Sequence, residues 1–240
     1  MNKYKQIINL FIPPLFPTVI RKFKKNLKIN KDHEFKFNYE ENFYNRIAFI
    51  SRAINTFDLD TCKYLEIGVC TNEVFNAIGL KSANKVGVDP QRGGTHRMTS
   101  DDFFKTCKEK FDVIFIDGLH HYEQCKRDCL NSVNSLTEKG IIIFHDFLPR
   151  NFLEENIPPK QKTWSGDVWK VAAELQVSEN KEFAIVNIDR GIGILKPKTN
   201  FIYKSIDAIQ DQDFDSFYKK YYKNLPIINC NEGLNFISKI

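Results

Sequence analysis

Apolar positions along the chain keep two rhythms, and the switches between them mark out the elements. Residues 39–57, YEENFYNRIAFISRAINTF, carry Phe43, Ile47, Ile50 and Ile54 at helical spacing. KYLEIGV (63–69) is a short apolar run that ends in a glycine, as a buried strand does. NEVFNAIGL (72–80) reads as a helix, and KVGVDP (85–90) as a second strand stopped by Asp-Pro. SDDFFKTCKEK (100–110) is a helix opened by a Ser/Asp cap. FDVIFIDG (111–118) is a strand. HYEQCKRDCLNSVNSLTEK (121–139) is an amphipathic helix with Gly140 at its C-cap. GIIIFHDF (140–147) is a strand, GDVWKVAAELQ (166–176) a helix, and FAIVNIDRGIGILKP (183–197) two strands around an Asp189-Arg190-Gly191 turn. FDSFYKKYY, within 201–240, is a further helix.

Ile/Val-rich strands that alternate with helices imply a sheet covered on both faces. The expected fold is therefore α/β. It is a doubly wound, mostly parallel, seven-stranded Rossmann-like sheet with an antiparallel edge strand contributed by the closing hairpin. The domains follow as a basic apolar arm over 1–35, the α/β body over 36–200 and a helical tail over 201–240 packed on that body.

The strand ends carry the chemistry. In doubly wound sheets ligands bind beyond the carboxyl ends of the strands. Here those ends present Glu66-Ile67-Gly68, Asp89, Asp117 and His145-Asp146. One acid at a strand end is an ordinary turn former. Four ionisable ends along one edge point to a site. The EIGV loop brings backbone N–H groups and Gly68 close to a ligand, with Val69 behind it. Asp89 ends the second strand, where an acid takes ribose hydroxyls, so a nucleoside-containing cofactor is expected. The loop lacks GxGxxG, which makes a dinucleotide the less natural ligand.

Composition changes the picture in one place. The 240 residues are 42% hydrophobic and 27% charged, which suits one globular body. The net charge of +5 is unevenly spread. Eight of the 35 Lys and Arg lie in residues 1–31, which hold no acid, so 27 bases face all 30 acids in the remainder. A body with that balance is no nucleic-acid binder. The first segment has an apolar run, Ile7 to Ile20, broken by Pro13, Pro14 and Pro17. It is too short to span a bilayer and lacks a small-residue cleavage site. It reads either as an arm packed on the body or on a second subunit, or as a peripheral foot on anionic lipid at the inner membrane face. The six cysteines form no CxxC pair, which fits a reduced, cytoplasmic protein.

YLEIGV, VGVDP, SDDFF, FDVIFIDGLHHYEQCKRD, GIIIFHDF and GDVWK occur in that order. Together they resemble a class I S-adenosylmethionine-dependent methyltransferase, and most of all the bacterial methyltransferase family 24, over residues 60–197. The resemblance implies S-adenosylmethionine as cofactor. Glu66, Gly68, Val69 and the loop would hold its methionine and ribose end, and Asp89 its ribose. Ser100 and Asp101 would lie near the adenine, and Asp117 beside the methionine end and the acceptor. Two positions depart from the family: Asn72 stands where a second glycine is usual, and Val74 where Ser or Thr is common.

The expected reaction is O-methylation of a sugar or glycan-related hydroxyl. Its acceptor is a small molecule or glycan, and the protein is monomeric or a homo-oligomer. His120, His145 and Asp146 are the catalytic candidates, and His121 reads as a solvated residue of the helix start. A divalent ion, Mg²⁺, Mn²⁺ or Zn²⁺, would be held by Asp117, His145 and Asp146. Trp164 reads either as a platform for a sugar face or as a packing residue, Trp169 reads as core, and the 147–162 loop as a cover for the acceptor or as a plain connector. A metal-dependent hydrolase using Asp117, His120, His145 and Asp146, and a non-catalytic binding protein of the same fold, are the rival functions.

Overall fold

The computed structural model describes residues 44–239, so the basic arm assigned to 1–35 lies outside the described residues. The elements are α1 (Arg46–Ile54), β1 (Tyr64–Ile67), α2 (Glu73–Ala77), β2 (Lys85–Val88), α3 (Ser100–Thr106), β3 (Phe111–Ile116), α4 (Tyr122–Ser135), β4 (Leu136–Phe144), α5 (Phe152–Glu155), α6 (Trp169–Val177), β5 (Glu179–Val186), β6 (Ile192–Ile202), β7 (Ile227–Ile228) and α7 (Cys230–Ser238).

The seven strands form one sheet in the order β2-β1-β3-β4-β6-β5-β7. β1, β2, β3 and β4 run parallel, as do β5 and β7, while β6 is antiparallel to both β4 and β5. The fold is the expected α/β sheet. Its one antiparallel strand sits inside the hairpin half, between β4 and β5, with the short β7 closing that margin.

Strand residues alternate between two apolar layers, as a pleated sheet requires. Ile114 and Ile116 of β3 and Ile142 and Phe144 of β4 face a layer with Phe103, Cys129, Trp169, Leu175 and Phe217. Val113, Phe115, Ile141 and Ile143 face the opposite layer with Phe49, Ile50, Phe75, Cys230 and Ile237. Helices α3, α4 and α6 therefore cover one face, and α1, α2 and α7 the other. A sheet buried on both sides explains why its central strands read as unbroken apolar runs.

Four local expectations are corrected or settled. Gly140 does not cap α4, which ends at Ser135 and passes directly into β4. The β3–β4 register jumps from Phe111↔Leu136 to Val113↔Ile141, so residues 137–140 bulge. A side chain at Gly140 would lie 2.6 Å from Leu136 Cδ2, so the glycine serves close approach. Helix α3 is capped by the Thr99 side chain, which accepts from Asp102 N, and Ser100 is its first residue. The 201–240 segment is only partly helical: it finishes β6, forms α7, and supplies β7. FDSFYKKYY is a broken run of α, π and 3₁₀ turns. The 147–162 segment is a packed connector, with Phe147, Leu148 and Pro149 buried and α5 within it.

Among the described residues no helix is long and apolar enough to cross a membrane. All six cysteines are free thiols.

Candidate active site

The carboxyl ends of β2, β1, β3 and β4 and the start of β6 open onto one cavity of about 580 Å³. That size suits a cofactor-sized ligand. Its lining includes Glu66, Gly68, Val69, Asp89, Ser100, Asp117, His120, His145 and Asp146. All but one of the ten residues singled out in the sequence thus converge. The exception is Asp101, which lies off the lining and meets Arg127 Nε at 3.3 Å.

Gly68 is the hinge of the β1 end. Its φ is +87°, and a Cβ there would stand 2.2 Å from the Asp117 carbonyl oxygen. No other residue lets β1 and β3 approach so closely while leaving their ends open. Asn72 also takes a left-handed backbone, φ 64°, and its Oδ1 accepts from Gly94 N at 2.8 Å. The residue that departs from the family thus keeps the turn and ties down the 91–95 loop.

Asp89 accepts the backbone N–H groups of Cys70 (2.9 Å), Gln91 (2.8 Å) and Arg92 (2.9 Å). Burial would raise its carboxyl, and these donors more than offset that, so it stays ionised. Three of roughly four acceptor positions are filled. The free carboxylate edge can therefore take one ribose hydroxyl rather than the two expected. Glu66 is the opposite case. It is almost fully buried and accepts from Tyr64 Oη at 2.7 Å. Burial pushes its pKa up to about 8, against the lowering effect of that bond.

The ends of β3 and β4 form a dense ionic cluster. Asp117 Oδ1 lies 3.2 Å from His145 Nδ1 and 3.3 Å from His120 Nε2, and its Oδ2 lies 3.2 Å from Arg46 Nη1. Asp146 Oδ1 takes Arg190 Nε at 2.7 Å. His145 Nε2 sits 3.4 Å from Asp189 Oδ1. Burial would lower the His145 pKa, but the carboxylates of Asp117 and Asp146 raise it far above the ordinary range. His145 thus lies buried among three carboxylates, a setting that favours its charged form over the roles of proton acceptor and metal ligand expected for it. The carboxylates of Asp117 and Asp189 are held well below their usual range: burial opposes this, and His145 with His120 or Arg46 outweighs it.

His120 is the accessible histidine. Its Nδ1 is 3.0 Å from the Trp164 carbonyl and 3.2 Å from Asp146 Oδ2, and its ring lies on the Trp164 ring at 5.1 Å. Burial would lower its pKa, and Asp117 and Asp146 raise it. The GDVWK segment holds it there. A Cβ on Gly166, whose φ is +64°, would meet the His120 carbonyl at 1.7 Å. Asp167 Oδ1 accepts from Tyr122 N at 2.6 Å and so caps α4, whose own N-cap residue, His121, makes no side-chain cap. His121 is half-buried against the Trp164 edge at 6.0 Å, not solvated. Trp164 lies outside the cavity lining and packs on His120. Trp169 is core, as expected.

Asp146 has φ +65°, a conformation uncommon outside glycine, and its buried Oδ2 makes no hydrogen bond among the described residues, although His120 Nδ1 stands 3.2 Å away at ion-pair distance. Asp117, His120 and Asp146 each offer one ligand atom, all within 4.8 Å of one another. The metal-capable set is thus Asp117–His120–Asp146, with His120 in place of His145.

The sequence assigns no site role to Arg46, Gln124, Asp128, Asp189 or Arg190. Gln124 Nε2 donates to Ser100 Oγ (3.1 Å) and Asp128 Oδ1 (3.1 Å) at the wall opposite the cluster. Asp128 closes the CKRD stretch, one helical turn beyond Gln124, and that spacing was the available signal. Asp189 and Arg190 had read only as turn formers. Arg46 stands 71 residues from Asp117, with no local mark.

A parallel sheet with helices on both faces, a single glycine hinge, an acid at the second strand end and an Asp–His cluster at the third and fourth are the arrangement that the resemblance to class I S-adenosylmethionine-dependent methyltransferases implies. Residues 45–147 match the family described as a methyltransferase domain, number 24 of that name. No curated protein matches the sequence. Solved structures resemble it at low identity. A Podospora anserina methyltransferase with SAH bound is 14% identical, covers 82% of this chain and 97% of its own, and has a TM-score of 0.45. A Bacillus cereus O-methyltransferase in complex with SAH is 15% identical, with 83% and 96% covered and a TM-score of 0.40. A Geobacter sulfurreducens methyltransferase is 10% identical, with 82% and 96% covered and a TM-score of 0.43.

Proposed function

We propose that the chain methylates a hydroxyl of a sugar or glycan-related metabolite. The observation that carries this reading is the row of strand ends on one cavity, with a nucleoside-binding acid, Asp89, at one end and a histidine between two carboxylates, His120, at the other. The donor set fits S-adenosylmethionine. Asp89 keeps one free acceptor edge for a ribose, the Gly68 hinge leaves room for a ligand against the backbone, and Ser100, Gln124 and Asp128 offer polar atoms to an adenine. The cofactor would supply an electrophilic methyl group on a sulfonium, with S-adenosylhomocysteine as the leaving group when the carbon–sulfur bond gives way to the oxygen–carbon bond.

The chain's own work is positioning and proton removal. The neutral form of His120, whose population the raised pKa lowers, takes the hydroxyl proton at Nε2, the nitrogen that otherwise meets Asp117, as the oxygen–carbon bond forms. Nδ1–H donates to the Trp164 carbonyl and fixes the ring. Asp117 and Asp146 stabilise the imidazolium that results, the part an aspartate plays beside a catalytic histidine. His145 and Arg46 hold Asp117, and Arg190 holds Asp146, so neither acid swings away.

A second reading rests on Asp146 Oδ2, which makes no hydrogen bond among the described residues. A divalent ion at Asp117, His120 and Asp146 would satisfy it and lower the acceptor pKa, with His120 a ligand instead of a base. Chelation separates the two: full turnover in excess EDTA supports the base, and loss restored by Mn²⁺ or Mg²⁺ supports the ion. The hydrolase alternative leaves Glu66 and Asp89 without a task. The reaction itself is tested by incubating the protein and S-adenosylmethionine with candidate glycans. A product heavier by one methyl group supports the proposal. Cofactor binding with no transfer to any hydroxylated acceptor counts against it.

A further inference from the structure

The site continues past the space a nucleoside and a methionine need. Adjacent strands lie about 4.8 Å apart, so from Asp89 on β2 to Arg190 before β6 the cavity crosses four strand spacings, roughly 19 Å. The cofactor reading occupies the ends of β2, β1 and β3. The β4–β6 end is left for the acceptor, and there two guanidinium groups, Arg46 and Arg190, join the lining.

Arg190 is the group that faces that end. It holds Asp146 through Nε alone. Its Nη1 and Nη2 carry four further N–H donors, which have no partner among the described residues. The side chain is 26% exposed and lines the cavity. Its placement is built. Arg190 sits at φ 60° between Asp189 at 45° and Gly191 at 91°, three left-handed residues in succession. Leu148 N bonds the Arg190 carbonyl at 2.8 Å, and a Cβ at Gly191 would strike Leu148 Cγ at 2.6 Å, so the turn is locked on the segment after β4. Left-handed backbone at a residue other than glycine is costly and persists where its surroundings impose it. Arg46, also in the lining, has two unused N–H donors beside it.

Arg46 holds Asp117 and Asp189, and Arg190 holds Asp146. An anionic group brought to the free edge of Arg190 meets a guanidinium fork whose Nη1 and Nη2 donors are unspent. Guanidinium forks match carboxylate and phosphate oxygens in pairs.

We propose that Arg190, assisted by Arg46, binds an anionic group of the acceptor, so that the methylated compound is a hydroxylated carboxylate or phosphate such as a uronate or a sugar phosphate. This rests on the methyltransferase reading, because it assigns the acceptor to the β4–β6 end. The fork holds the anion while the hydroxyl points back toward His120.

The test uses the full chain saturated with S-adenosylhomocysteine. Binding of D-glucuronate, glucose 6-phosphate and methyl glucoside is measured by calorimetry, for the wild type and for Arg190→Gln and Arg190→Lys. One charge-assisted pair corresponds to roughly ten- to a hundredfold in affinity. The expected result is that glucuronate, glucose 6-phosphate or both bind at least about tenfold more tightly than the neutral glucoside. Arg190→Gln removes that preference, Arg190→Lys keeps part of it, and affinity for S-adenosylhomocysteine is the same in all three proteins. Preference for the first anion alone means a carboxylate acceptor, and for the second alone a phosphate. Equal binding of charged and neutral probes, or binding of none, overturns the proposal. So does weaker S-adenosylhomocysteine binding by Arg190→Gln, since Arg190 would then serve the cofactor's own carboxylate. A wild type that binds no S-adenosylhomocysteine instead defeats the methyltransferase reading beneath it.

Discussion

Arg46, in the first turn of α1, grips Asp189, in the turn before β6, with three donors: Nε at 2.8 Å, Nη2 at 2.8 Å and its own backbone N at 3.1 Å. The two residues are 143 positions apart. Asp189 thereby satisfies the start of α1 and pairs with the guanidinium that, through Nη1, also fixes Asp117. The helix before the first strand and the hairpin after the fourth are thus joined at the active end of the sheet.

Both side chains of this pair are largely buried, so removing one partner leaves an uncompensated charge. Asp189→Ala is expected to destabilise by about 2–3 kcal/mol, read from urea unfolding. The double variant Arg46→Met/Asp189→Leu should lose less than the sum of its single changes, because each single change removes the same contact. Strict additivity would show that the pair is not coupled.

Gly68→Ala places a methyl group 2.2 Å from the Asp117 carbonyl at a backbone angle that alanine resists. Destabilisation of at least about 2 kcal/mol is expected, with loss of S-adenosylhomocysteine binding in whatever folded protein remains. A variant of wild-type stability and affinity would mean that β1 and β3 need no such approach.

Asp167 caps α4 from 45 residues away and pairs with Lys170 at 2.8 Å. Asp167→Ala should cost about 1–2 kcal/mol, the value of a lost helix cap, and Asp167→Asn should recover much of it. Because α4 begins directly after His120, turnover should fall more than cofactor affinity. A drop in affinity with kcat unchanged would place Asp167 elsewhere in the mechanism.

Glu155 supplies a pH test remote from the site. Burial pushes its pKa up to about 7, above its ordinary 4.5. Between those values the unfolded chain gives up the proton while the folded chain keeps it, so stability from this group is present at low pH and falls as pH rises toward 7. The loss is about 3 kcal/mol at most. Glu155→Gln should flatten the stability curve between about pH 4.5 and 7, measured by urea unfolding across that range. An unchanged slope would assign the dependence to other groups.

What the sequence made legible was what short-range pattern controls. Ile/Val runs ending in Glu66, Asp89, Asp117 and His145-Asp146 located one edge of one sheet, because a parallel strand's residues and its terminal polar group are contiguous. The division of labour among the histidines was not legible. His145 was set apart from His120 by Asp189, which lies 44 positions further along the chain and is itself held by Arg46, 143 positions before it. Gly140 misled because a glycine after a helix signals a cap just as well as it serves a bulge, and only the β3–β4 register tells them apart. Trp164 stayed open because an aromatic ring near a site suits a sugar face as well as it suits a wall behind a histidine.

The central claim is that the ends of β2, β1 and β3 form a cofactor site keyed by Asp89. Titration calorimetry of the full chain with S-adenosylhomocysteine tests it most directly. The account predicts binding in the micromolar range, about −8 kcal/mol, and its loss in Asp89→Ala with the fold retained by circular dichroism. No heat from the folded wild type at about millimolar ligand, or equal affinity in the Asp89→Ala protein, would contradict it.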